Sequence, residues 1–318
     1  MSKSSEVWSV AFETWSAQPA HWREIYDRLS AHGWDRALPW ELPETIFWVG
    51  EGSSLHAAAL AEVLLESQTL WARRPRLSVV CPSADFAARS GRLAGSRHWF
   101  VGFSHRGKTA ETLRALQEAR RKGFSTVWVA SKDIDTAPEE AHLTIAAGPL
   151  ETIEPHTSAL SCAIAAASLV IGDANTFDLW RAMTSEFEAE KTLPPAEVQE
   201  WLRARTPGWV IGHGPAEWMA RELSLKCLEL GGALLRSSSS EAFFHGFSQF
   251  LPERKDQPLR ILHLNFGEDP RDAEWRETYT PNGAKIVSWD LRSGGEREYM
   301  LARAIFKVQR AALEATRA

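Results

Sequence analysis

Three charged residues recur at helical spacing within Ala220–Leu230, ARELSLKCLEL: Glu222, Lys226 and Glu229. At about 100° per residue they share one narrow sector of a helical wheel. Met219, Leu223, Leu225, Cys227, Leu228 and Leu230 fill most of the rest, with only Arg221 and Ser224 as polar interruptions. A surface helix carries a broad polar face, whereas this one is apolar nearly all round with a thin charged stripe. Charges are rarely buried unless they are paired or put to use. Downstream, the run Ser237–Ser240 is followed by His245 in FFHG. Two carboxylates, an ammonium and an imidazole are an inventory for general acid–base chemistry. The plain alternative is a solvated Glu222–Lys226 pair at i,i+4, worth about 0.2–0.5 kcal/mol.

A second cluster, Ser104-His105-Arg106-Gly107-Lys108-Thr109, follows an apolar run and opens an amphipathic one. Hydroxyls, a glycine, two cations and the free N–H groups of a helix start make a phosphate cradle.

The elements that must position these groups follow from the apolar pattern. Residues 1–40 read as one or two helices broken at Pro19, with aromatic anchors Trp8, Phe12, Trp15 and Trp22. TIFWV (45–49), LSVVC (77–81), HWFVGF (98–103), STVWVA (125–130) and HLTIA (142–146) read as strands, and 55–66, 108–122 and 157–172 as helices. Apolar strands alternating with amphipathic helices predict an α/β fold with a parallel, doubly wound sheet. A second pass begins near 208. WVGEGSSLHAA (48–58) and VIGHGPAEWMA (210–220) share the order strand, Gly-x-Gly, helix at an offset of 162. WFVGFSHRGKTAET (99–112) and LHLNFGEDPRDAEW (262–275) align at nearly the same offset.

The pattern therefore predicts a tandem duplication. Its parts are an N-terminal helical segment (1–40), a first domain with the phosphate loop (41–173), connecting helices (174–206) and a second domain with the charged stripe (207–318). The copies differ where chemistry would reside. Gly267-Glu268-Asp269-Pro270 would repel the phosphate that the first loop attracts, and Leu60 and Leu64 stand where the second copy is charged.

Bulk properties exclude other classes. With 44% hydrophobic and 24% charged residues, the 318-residue chain reads as a soluble globular protein of about two domains. A net charge of −5 without a basic run argues against nucleic acid as a partner. No apolar run approaches the ~20 residues of a membrane span, and MSKSSEVW lacks the apolar core of a signal peptide. Cys81, Cys162 and Cys227 show no metal-ligand spacing and read as buried, reduced thiols of a cytoplasmic protein with no bound metal. Gly50-x-Gly52 lacks the third glycine of a dinucleotide loop, Leu55 standing there, so no such cofactor is expected.

Five short elements in order resemble the double SIS (sugar isomerase) domain family, which includes the isomerase half of glucosamine-6-phosphate synthase and related phosphosugar isomerases and deaminases. Thr14-Trp15-Ser16-Ala17-Gln18-Pro19 is similar to the family's E-I-x-E-Q-P, and Gly50 to Ala57 to its G-C-G-T-S-x-H-A loop. Ser104 to Thr109 is similar to S-x-S-G-E-T, and Ala147-Gly148-Pro149 through Thr157 to A-G-P-E…S-T. Glu222-x3-Lys226-x2-Glu229, with His245-Gly246 sixteen residues on, resembles the family's active-site spacing.

The resemblance implies two tandem flavodoxin-like domains, each a parallel sheet flanked by helices. It implies that Ser53, Ser54, Ser104, His105 and Thr109 bind a sugar phosphate, while Arg106, replacing the loop's second serine, either grips the phosphate or fills its place. Glu229 would move a proton between C1 and C2, with Lys226 and Glu222 supporting it. His245 would assist ring opening and in this family often comes from the dimer partner. The expected protein is a cytoplasmic, cofactor-free homodimer isomerising a hexose- or hexosamine-6-phosphate, with or without amine release. The alternative is a catalytically silent sugar-phosphate-binding regulator. Departures from the family are Glu51, where a small or apolar residue is usual, the missing glutaminase domain, and the missing C-terminal Schiff-base lysine, Lys307 being the last lysine.

Overall fold

A computed structural model describes residues 3–31, 43–66, 75–171, 193–246, 259–267, 271–292 and 297–317. The chain forms two compact units, one of Ser16–Thr152 and His156–Glu190, the other of Met1–Trp15, Ile153–Pro155 and Lys191–Ala318.

The first unit contains α2 (Gln18–Ala31), β1 (Thr45–Gly50), α3 (Ser53–Glu66), β2 (Leu77–Pro82), α4 (Phe86–Ser90), β3 (His98–Phe103), α5 (Ala110–Arg121), β4 (Ser125–Ala130), β5 (Leu143–Ala146) and α6 (Ser158–Ile171). Its strands run in the order β2-β1-β3-β4-β5, every pair parallel. β1, β3 and β4 are buried at every position. Helices on both faces leave such strands no polar side, which is why they read as continuous apolar runs. The core centres on Phe86, whose ring stands edge-on to Phe47 and Phe100 at 5.3 and 5.0 Å. Gly50 admits the start of α3: a Cβ there would lie 2.7 Å from the carbonyl carbon of Ser54. The chain leaves β1 toward β2 on one side and enters β3 on the other, so a crevice opens at the carboxyl ends of β1 and β3. Ligands of doubly wound sheets bind there.

The second unit contains α1 (Lys3–Ser16), α7 (Ala196–Arg203), β6 (Gly208–Gly212), α8 (Pro215–Glu229), β7 (Leu235–Ser239), α9 (Ser240–His245), β8 (Leu259–Asn265), α10 (Arg271–Tyr279), β9 (Ala284–Asp290) and α11 (Arg297–Thr316). Its order, β7-β6-β8-β9, is again all parallel and repeats that of the first four strands of the other sheet. Gly212 repeats the role of Gly50, with a Cβ falling 2.3 Å from the carbonyl carbon of Ala216. Trp15 ties α1 to α11, its ring 4.0 Å from Phe306 and its N–H donating to the Phe306 carbonyl at 3.0 Å.

The break between α1 and α2 falls at Ala17 and not at Pro19. Proline in the first turn of α2 loses no helical hydrogen bond, so it opens that helix instead of ending the previous one. Of the expected connecting helices over 174–206, residues 174–192 lie outside the described residues, as do 268–270, and 193–206 contain α7. Among the described residues no helix is long and apolar enough to cross a membrane.

Candidate active site

The loop after β3 folds back on itself as it enters α5. The Ser104 N–H donates to the Val129 carbonyl at 3.0 Å, and the Gly107 N–H turns back to the Ser104 carbonyl at 2.9 Å. Gly107 has φ +69°, the left-handed region that glycine adopts without strain. Thr109 is the N-cap of α5 but makes no side-chain cap bond; instead its hydroxyl accepts from Ser104 at 3.1 Å. Two hydroxyls thus stand together at the start of α5, at the switch-point crevice, with the Thr109 N–H 3.5 Å from the Ser104 hydroxyl. Ser53 and Ser54, both half-buried, open α3 on the adjoining strand. Glu51 does not oppose an anion there. Its carboxylate accepts from the Ser83 N–H at 2.8 Å and so turns toward β2, which flanks β1 on the side away from β3.

The remaining loop residues are engaged elsewhere. Lys108 forms an exposed pair with Asp135 at 3.2 Å. Arg106 donates to the Thr152 carbonyl at 3.3 Å and lies 3.3 Å from Nε2 of His156. His105 accepts the Glu151 N–H on Nε2 at 2.9 Å, and its ring centroid stands 4.7 Å from that of His156. Glu151 was not singled out by the sequence reasoning. It is buried and caps α6, accepting from the N–H groups of Thr157, Ser158 and Ala159 at 3.0, 3.3 and 2.6 Å. It stands six residues before Thr157, with Glu154 nearer the helix start, so the sequence carried no local signal for this cap.

In the other unit, α8 packs on β6 and β7 and against α11. The stripe on it is not solvated. The side chains of Glu222 and Lys226 are 0% and 1% exposed, and that of Glu229 20%. The Lys226 ammonium donates to Glu229 at 2.8 Å and stands 3.7 Å from Glu222. Gln309 of α11, which carried no sequence signal, donates to the Glu222 carboxylate at 3.4 Å. Burial pushes the Glu229 carboxyl above its ordinary value; the Lys226 charge and hydrogen bond pull it down, and the charges of Glu222 and Glu154 push it up. Glu154 reaches this unit through Ile153–Pro155, a segment no local pattern would connect with α8.

His245 ends α9 and is exposed. The crossovers from β6 to β7 and from β7 to β8 run in opposite directions across the sheet, so right-handed connections put α8 and α9 on opposite faces. Consistently, α9 packs on α10, with Phe244 stacked on Trp275 at 4.0 Å. The structure therefore brings Glu222, Lys226 and Glu229 together, while the sheet separates His245 from them within one copy. Among the described residues, no group of three or more His, Cys, Asp or Glu side chains could hold a metal ion.

Comparison with known proteins gives this geometry a context. Residues 43–172, spanning the first sheet, match the SIS domain. The isomerizing glutamine–fructose-6-phosphate aminotransferase of Streptococcus pneumoniae R6 is 25% identical over 227 residues, taking in 66% of this chain and 36% of the relative. The chain spans at most 36% of the length of the curated relatives it matches. Among solved structures, a candidate phosphosugar isomerase of Clostridium difficile 630 superposes with a TM-score of 0.73 at 17% identity, covering 96% of this chain and 92% of that one. Tagatose-6-phosphate ketose/aldose isomerase of Escherichia coli superposes with a TM-score of 0.66 at 14% identity over the same shares. At such identities the structural likeness establishes the fold alone.

Proposed function

We propose that this SIS-domain protein binds a hexose- or hexosamine-6-phosphate and moves a proton between C1 and C2, interconverting aldose and ketose. The observation that carries the proposal is the enclosed Glu222–Lys226–Glu229 stripe, in which the Glu229 carboxylate is the most open of the three. Enclosed charges are costly unless paired or put to use, and here one ammonium is shared by two carboxylates, so pairing alone leaves a net negative charge in the cluster. A carboxylate raised by burial is a better base near neutral pH than a solvated one, since proton transfer favours a base whose pKa approaches the working pH.

In the proposed reaction Glu229 takes the C2 proton of the open-chain aldose, and the electron pair of that bond forms the enediol. Returning that proton to C1, while the O2 hydroxyl proton passes to O1, leaves the C2 carbonyl and C1 hydroxyl of the ketose, so the base is regenerated and nothing else is consumed. Lys226 holds Glu229 ionised and oriented, and Glu222, itself held by Gln309, balances the ammonium. The phosphate would lie on the Ser104 and Thr109 hydroxyls and the start of α5, beside Ser53 and Ser54. It would contribute binding energy remote from the reacting carbons. His245, across the sheet from the stripe, would serve as ring-opening acid only for a second copy, so the proposal includes a homodimer. The shared strand order and the matching close contacts at Gly50 and Gly212 support reading the second sheet as a diverged copy of the first.

The test is a thermal-shift comparison of fructose-6-phosphate, glucosamine-6-phosphate and tagatose-6-phosphate against the unphosphorylated sugars, because a ligand of the native state alone raises the melting temperature. Bound sugars are then assayed for isomerised product and released ammonia, with Glu229→Gln as control. The variant should bind sugar phosphate and lose turnover; unchanged turnover removes Glu229 as the base. No shift with any phosphate overturns the whole reading, whereas binding without product in the wild type turns it into a regulatory sugar-phosphate binder.

A further inference from the structure

We infer that His263 is a positioning residue that fixes α9, and with it His245, through the hydroxyl of Ser240. The inference rests on the proposed role of His245. His263 lies on β8 with no exposed surface, and Ser240, the first residue of α9, is equally enclosed. The Ser240 hydroxyl stands 3.3 Å from Nε2 of His263. On the other side of the ring Nδ1 meets an oxygen of Asp272, in the first turn of α10. The second Asp272 oxygen accepts from the Asn265 amide at 3.4 Å.

A carboxylate only accepts, so the Nδ1 proton points to Asp272, and in the neutral imidazole Nε2 is left to accept from the Ser240 hydroxyl. The chain of bonds has one direction, and each buried member would be left unpaired if another were removed. Serine, histidine and aspartate in this order also make a nucleophilic triad, but a serine with no accessible surface cannot reach a substrate. What the arrangement does is brace. At six residues α9 is too short to hold its own conformation. Its first turn has two other polar anchors among the described contacts, both at the surface: the Ser239 hydroxyl, which accepts the Ala242 N–H at 3.1 Å, and the Glu241 carboxylate, which accepts from Arg271 at 2.9 Å and pairs with His213. Phe243 and Phe244 seat α9 in the core, and the buried polar contact that fixes its rotation, and so the direction in which its last residue projects, is the one where Ser240 meets His263.

The experiment compares Ser240→Ala and His263→Phe, which keeps an aromatic ring beside Trp275, with His245→Ala and the double variant His245→Ala/His263→Phe. Hydrogen exchange should speed about tenfold or more at the amides of residues 241–246 in both single brace variants, with α8 unchanged. The turnover number should fall about tenfold with the Michaelis constant within about twofold, and the double variant should be no slower than His245→Ala, as expected of residues acting as one unit. Exchange like that of the wild type in both brace variants, unchanged turnover, or losses that multiply in the double variant would each overturn the inference. If His263→Phe does not fold, Ser240→Ala decides alone. A wild type without isomerase activity defeats the functional reading only: exchange confined to α9 then still supports the brace, and unchanged exchange removes it.

Discussion

Replacing Lys226 with Met tests whether the stripe on α8 is an enclosed charge cluster. The ammonium lies 2.8 Å from Glu229 and 3.7 Å from Glu222, and its own side chain is 1% exposed. Methionine conserves much of the volume but leaves two carboxylates facing each other on one helix, one with no exposure at all. Removing one partner of a buried ion pair costs about 3–5 kcal/mol, because the remaining charge stays desolvated. Read by native-state hydrogen exchange at the α8 amides, that loss is about a hundred- to several-thousand-fold in protection, at ~1.4 kcal/mol per tenfold. The double variant Glu222→Leu/Lys226→Met should recover most of it, since apolar replacement of a buried pair is often neutral or stabilising. A loss below about 1 kcal/mol for Lys226→Met, the range of exposed pairs, would refute the reasoning. So would a double variant no better than the single one.

Further outcomes follow from the same geometry. Because Lys226 pulls the Glu229 carboxyl down against burial, the acid limb of kcat/KM should move to higher pH in any Lys226→Met protein that still turns over; a shift to lower pH contradicts the assigned causes. Ser104→Ala and Thr109→Val should each weaken binding of the phosphorylated sugar about tenfold to a hundredfold, the loss of a hydrogen bond to a charged group of about 1.5–3 kcal/mol, and leave unphosphorylated sugar unaffected in a titration. Burial pushes the Asp272 carboxyl up, but the hydrogen bond and charge of His263, the Ser288 hydrogen bond and the Arg276 charge together hold it below its ordinary value of 3.8. Its contribution to stability is thus complete above 3.8 and lost as pH falls through the depressed value. Acid unfolding of Asp272→Asn, followed by circular dichroism, should accordingly be shallower below about pH 4 than that of the wild type.

Much of the first sheet was legible because strands buried on both faces write uninterrupted apolar words: HWFVGF and STVWVA are β3 and β4 to the residue. β7, LRSSS, was not legible. It is an edge strand held by pairing with Gly208–Gly212, and its polar composition carries no strand period. The stripe was legible in its spacing, and burial decided between the enclosed and the solvated reading. Its neighbours were not: Gln309 and Glu154 come from distant stretches, and nothing within a helical window announces a partner supplied by another element. In the loop after β3, residue types suggested two cations for a phosphate. The structure sends Lys108 to Asp135 and Arg106 to the segment around Thr152, since side-chain direction in a turn depends on backbone angles that composition does not encode. The separation of Glu229 from His245 by a sheet is likewise a matter of crossover handedness and not of residue type.

The make-up of the two units has a practical corollary for protein dissection. The polypeptide passes from one unit to the other after residues 15, 152, 155 and 190, so neither can be excised as an uninterrupted fragment. An expression clone beginning at 191 would lack both the Trp15 ring that lies on Phe306 and the indole of Trp8, whose N–H donates to the Leu313 carbonyl at 2.7 Å. Half-length products should therefore be poorly behaved unless the first fifteen residues are grafted back, and a protease cut near Ala17 would sever the two units at only one of their four crossings.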